Sequence, residues 1–73
     1  MKDYKVTIEN KEFGFYDERH FESVSDVRDF MDSTFGKDCK HVNFIKEYRT
    51  FCERTYFITV NDQHFMVVVT YEK

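Results

Sequence analysis

The sequence predicts an α+β domain in the order ββαβββ, with one helix lying on a face of a small antiparallel sheet. Residues 55–71, TYFITV-NDQH-FMVVVTY, are two runs of β-branched and aromatic residues joined by four polar ones, the pattern of an antiparallel hairpin with a short loop. Both faces of these runs are partly apolar, which places the hairpin centrally in the sheet or at a subunit contact. The core material agrees. Nine Phe, eight Val and five Tyr supply most of the apolar surface, while Leu and Ala, the residues a helical bundle would use most, are absent.

Seventy-three residues make one domain, and a chain this short buries only about 60% of the surface its unfolded form exposes. Thin stability of this kind makes oligomerisation an expectation from the outset.

Residues 5–9 alternate Val6 and Ile8 with polar side chains, and residues 12–16 follow after Asn10-Lys11. Two strands and a two-residue loop are expected, since Asn10 tolerates positive φ; Gly14 would mark a bulge or a close backbone approach. Residues 17–22 are charged and are expected as loop, anchored by Phe21. Residues 23–26, Ser-Val-Ser-Asp, form a helix start, with a serine cap, an acid in the first turn and Val24 as a hydrophobic staple. Val27, Phe30, Met31 and Phe35 then fall on one helix face, and Gly36 ends the helix.

Residues 39–54 carry two competing signals. His41, Phe44, Ile45, Tyr48, Phe51 and Cys52 recur at spacings of three and four, which suits a helix, while Val, Ile, Thr and aromatics without Ala or Leu suit strands. The strand reading is preferred, because a strand here, a turn near residues 47–50 and a long strand over 51–60 complete a three-stranded antiparallel unit. The resulting architecture has the helix covering one face of the sheet.

No motif in this chain carries a specific chemistry, and no enzymatic activity is expected. Cys39, His41, Cys52 and His64 offer zinc-type ligands without the close paired spacing of a structural site, so no metal or cofactor is expected. A thiol nucleophile would need an orienting group that cannot be named. Carboxylate pairs such as Asp17-Glu18 and Asp29-Asp32 carry no sign of the burial that acid–base work requires. The two glycines stand far apart, so a phosphate-cradling loop is not signalled. Without an apolar leader or a span-length apolar run, the expected location is cytoplasmic, with no membrane partner.

The net charge of −3 is mild, and its distribution says more. Residues 16–38 hold seven acids against three bases, and residues 37–54 hold five bases against three acids. The acidic lobe of Asp17, Glu18, Glu22, Asp26, Asp29 and Asp32 would steer the domain to a basic protein surface. Surplus Tyr and Phe would supply contact energy, and an exposed sheet edge could add a strand to a partner. The expected function is therefore a non-enzymatic protein-interaction module, with a homodimer through the closing hairpin as a further expectation. Small acidic domains of this kind resemble the accessory proteins of phages and other mobile elements, and that resemblance, in size and composition, implies binding and inhibition of a host protein. The alternative is a nucleic-acid-binding module using Lys40, Lys46, Tyr48, Arg49 and Arg54, where bases alternate with aromatics. A sequence pI near 5.5 weighs against it.

Overall fold

A computed structural model describes residues 3–36 and 39–73. Five strands and one helix follow in the order β1 (Tyr4–Asn10), β2 (Phe15–Phe21), α1 (Val24–Phe35), β3 (Lys40–Glu47), β4 (Phe51–Val60) and β5 (Gln63–Glu72). The strands form one antiparallel sheet, β2-β1-β5-β4-β3. The sequence reading ββαβββ is therefore the observed fold, with residues 40–47 extended despite their helical spacing.

The closing hairpin occupies the middle of the sheet: β5 pairs with β1 on one side and β4 on the other. Its helix-side residues Ile58, Val67 and Val69 are buried, while Phe57, Met66 and Val68 lie on the face turned away from α1. Val6 and Ile8 of β1, Val67 and Val69 of β5 and Ile58 of β4 share one face and are buried beneath Val27 and Phe35 of α1. Phe30 and Met31 pack at the margin of this core, as their place on the helix stripe demands. Phe35 meets Phe65 edge-on at 5.3 Å, and Phe21 meets Phe30 at 5.1 Å, so aromatic contacts close both ends of the helix–sheet layer.

Several local expectations are corrected. The β1–β2 connection is a four-residue turn over residues 11–14, not a two-residue loop, because the buried Asn10 side chain accepts from the backbone N–H of Glu12 (3.0 Å) and of Phe13 (3.4 Å). Gly14 lies in that turn at φ 65°, so it supplies a left-handed residue and no close approach is needed there. β2 also runs on through residues 17–21, which looked like loop. Finally, β4 and β5 are joined by Asn61 and Asp62 alone, both at positive φ (49° and 64°), as a type I′ hairpin turn requires.

The helix is capped by Ser23, whose side-chain oxygen accepts from the N–H of Asp26 at 3.1 Å. Val24 is therefore the first helical residue and stays exposed instead of stapling. Gly36, at φ 84°, donates its N–H to the Asp32 carbonyl and ends the helix.

Candidate functional site

Strand alternation gives the sheet a second face, turned away from α1, and no helix or loop among the described residues packs over it. The register places Val42, Phe57, Met66, Glu9 and Tyr16 in one cross-strand row, and Phe44, Thr55, Val68, Thr7 and Glu18 in the next. At the β3–β4 end these rows are apolar and open: Val42 is 68% exposed, Phe44 52% and Phe57 47%. The Phe44 and Phe57 rings lie against each other at 5.7 Å, and Met66 and Val68 continue the patch half-buried toward β1. Single exposed apolar side chains are ordinary, whereas a contiguous aromatic and aliphatic patch is a candidate contact surface.

Bases rim this patch. Lys40 and Lys46 stand on the same face of β3, and Lys46 Nζ sits 5.5 Å from the centre of the Tyr48 ring. Tyr48 in turn stacks on Phe51 at 4.4 Å and 16°, which fixes the β3–β4 turn as an aromatic corner. Of the remaining residues in the basic set, Arg49 is exposed in that turn and Arg54 is on the opposite, helix-side face. The geometry thus joins Lys40, Lys46 and Tyr48 and separates Arg54 from them.

Arg54 has a different setting. Its guanidinium donates to the Tyr56 hydroxyl at 3.3 Å, which holds it firmly charged, while its buried Nε meets no partner among the described residues. It lies beside an open cleft of about 310 Å³ between α1 and the uncovered part of β3–β4, whose walls include Val27, Met31, His41 and Ile58. Arg54 itself lines this cleft, and its Nε is closed to solvent. Beyond it, burial and the Cys52 thiol raise the Tyr71 hydroxyl above its usual range.

The acidic residues divide between surfaces. Glu18 is on the open face, Asp17 on the helix side of β2, Glu22 before the helix, and Asp26, Asp29 and Asp32 on α1. Two of them already hold partners: Asp17 accepts from Arg19 Nε at 3.0 Å, and Glu18 faces Lys5 Nζ at 3.6 Å and His20 Nε2 at 3.1 Å. Asp26 and Asp29 stay exposed on the helix.

His20 is clamped on both ring nitrogens, with Asp3 at 2.9 Å from Nδ1 and Glu18 at 3.1 Å from Nε2. Carboxylates only accept, so both nitrogens satisfy their neighbours only when both carry hydrogen. The Asp3 and Glu18 hydrogen bonds accordingly raise the imidazole's pKa, and the bond to His20 lowers that of Glu18.

The residues considered as zinc ligands are dispersed. Cys52 is buried and paired with Glu47, at the far end of β3 from Cys39, and His64 points to the open face beside Thr59. Among the described residues no three His, Cys, Asp or Glu side chains gather as a metal would need. Among the described residues no helix is long and apolar enough to cross a membrane.

Sequence reasoning missed the open-face patch. Its one signal was the apolar content of alternate positions in both closing strands, which showed that two faces needed cover without showing that only one has it. Comparison with protein-family models, with curated proteins and with solved structures finds no match to this chain.

Proposed function

We propose that this protein is a non-enzymatic protein-interaction module that docks the open face of its sheet on a partner protein. The observation that supports this reading is the contiguous Val42–Phe44–Phe57 patch, continued by Met66 and Val68. An apolar centre of this kind, rimmed by Lys40 and Lys46, suits a partner whose own apolar patch is bordered by acids. The exposed Asp26 and Asp29 on α1 add a second surface of opposite sign, which steers the domain toward basic regions of the same partner. Covering a working surface of that partner is how a chain of this size would inhibit it, and an inhibitory accessory role is the form of the proposal. The experiment is affinity capture from the source cells, comparing wild type with a Phe44→Ser/Phe57→Ser variant whose circular dichroism is unchanged. A partner held by wild type and released by the variant supports the open face. Equal capture by both, or loss only in Asp26→Asn/Asp29→Asn, overturns it.

The stacked Tyr48–Phe51 corner with Lys46 above it favours one second reading, a nucleic-acid contact through Lys40, Lys46 and Tyr48. Phosphate binding weakens steeply with salt, so an electrophoretic shift lost between low and moderate salt would favour this reading. Retention of the protein partner across that range favours the first.

A further inference from the structure

We propose that two copies of this chain pair through the free edge of β3, antiparallel about a two-fold axis at Phe44, and join their sheets into one. This goes beyond the open-face reading and uses main-chain groups that reading leaves idle.

The inference starts from the unequal treatment of the two sheet edges. The β2 edge carries Asp17, Glu18, Arg19 and His20 in succession, held in ion pairs, and charged side chains are a common defence of an exposed edge. On the β3 edge the charged or titratable residues stand only at the two ends, Lys40 and His41 at one and Lys46 and Glu47 at the other, and the middle, residues 42–45, carries none. All of Lys40–Glu47 is exposed, the pairing to β4 is continuous without a bulge, and the chain contains no proline. Val42, Phe44 and Ile45 stand along it, 68%, 52% and 48% exposed.

The direction of the unpaired groups follows from the turn. Tyr48 donates its N–H to the Phe51 carbonyl at 2.9 Å, so this pair is hydrogen-bonded. Hydrogen-bonded and non-bonded pairs alternate along an antiparallel ladder. Lys46, Phe44, Val42 and Lys40 therefore bond inward to β4, and the N–H and C=O groups of His41, Asn43, Ile45 and Glu47 point outward.

A second copy fits this edge in one register. Centred on Phe44, the pairing sets His41 opposite Glu47, Asn43 opposite Ile45, Val42 opposite Lys46, Lys40 opposite Tyr48, and Phe44 opposite itself. No like charges meet, His41 gains an acid, and roughly eight main-chain hydrogen bonds form between outward pairs. Shifting the centre to Asn43 puts Lys40 against Lys46, and shifting it to Ile45 puts His41 against Arg49. Self-complementarity of this kind is what an isologous two-fold interface demands. The joined sheet also merges the two Phe44–Phe57 patches into one continuous surface.

Two variants test the register. Ile45→Pro removes an outward N–H and leaves the ladder to β4 intact, so sedimentation should show wild type at twice 9.0 kDa and the variant at 9.0 kDa. In a Cys39→Ser background, Phe44→Cys should cross-link across the axis, because facing non-bonded residues are about 4.5 Å apart at Cα, within disulfide range. Val42→Cys should not, since its counterpart lies roughly 13 Å away along the strand at about 3.3 Å per residue. A monomeric wild type at tens of micromolar, a dimeric Ile45→Pro, or equal cross-linking of the two cysteine variants overturns the inference. Ile45→Pro keeps Val42, Phe44 and Phe57 in place, so capture of a partner by that monomer would separate this inference from the open-face reading. The cross-linking pair also stands if the proline variant fails to fold.

Discussion

Phe57 and Ile58 are neighbours on β4 that face opposite sides of the sheet, and truncating each to alanine measures what the two faces contribute to stability. Ile58 is 2% exposed under the helix, so Ile58→Ala removes three buried carbons and leaves a hole. At about 0.8 kcal/mol per methylene plus a cavity term, the expected loss is about 3–4 kcal/mol. Phe57 is the larger side chain but is 47% exposed, with about 100 Å² against its neighbours. At about 25 cal/mol per Å² that burial is worth at most about 2.5 kcal/mol, and compactness of the unfolded chain reduces it. Solvent fills the space left on an open face, so Phe57→Ala should cost about 1–2 kcal/mol. Against a total of about 4–11 kcal/mol for 73 residues, only the first change threatens the fold. Urea unfolding followed by far-ultraviolet circular dichroism, at a protein concentration where wild type is monomeric, gives both values. The expected inversion is that the bigger side chain matters less. A loss of 3 kcal/mol or more for Phe57→Ala would mean that the face is covered within the single chain, and the docking surface would be refuted.

Other consequences follow from local geometry. Asn10→Ala removes the acceptor for two turn amides and should lower stability by about 1–2 kcal/mol, read from the shift in urea midpoint. Ser23→Ala should cost about 1 kcal/mol by loss of the helix cap, with Ser23→Gly losing less. Asp62→Gly should stabilise by up to about 1 kcal/mol, because Asp62 sits at φ 64° and glycine accepts that region without strain. His20 should titrate above its ordinary 6.5 in a proton NMR pH series, and Asp3→Asn should bring it down further than Glu18→Gln does. The sign follows from the raised value: the clamp's stabilisation is fully present below 6.5 and is lost as pH rises through the folded pKa, while Glu18, lowered from 4.5, loses its share only in acid.

The elements that sequence described well are those whose side chains meet the core. The helix stripe and the closing hairpin were legible because Val27, Phe35, Ile58, Val67 and Val69 must all reach one layer, and their spacing records it. β2 was not legible as a strand beyond Tyr16, since it lies at an edge and only Asp17 and Phe21 of it are better than exposed. Without burial on alternate positions, a strand of sequence DERH has no period-two signal to read. The pairing of β1 with β5, which sets the whole strand order, was likewise invisible in a linear pattern. Arg54 fell among the basic residues of its segment by sequence position, while its parity on β4 carries it to the other face.

β3 presents the opposite case, a segment with too much signal. Its apolar residues recur at helical spacing, yet the strand that forms exposes every one of them, so the helix period cannot have been selected by burial in this chain. A monomer gives no packing reason for Val42, Phe44 and Ile45 to be apolar at all, since each contributes little to the core it borders. Sequences that are locally consistent with their fold depart from that consistency where contact with something else is required. The disagreement between pattern and structure thus falls on the same strand as the edge whose middle carries no charge, and beside the open aromatic patch. The proposed contacts would account for all three, through the outward amides of β3 on the edge and through Phe44 on the face.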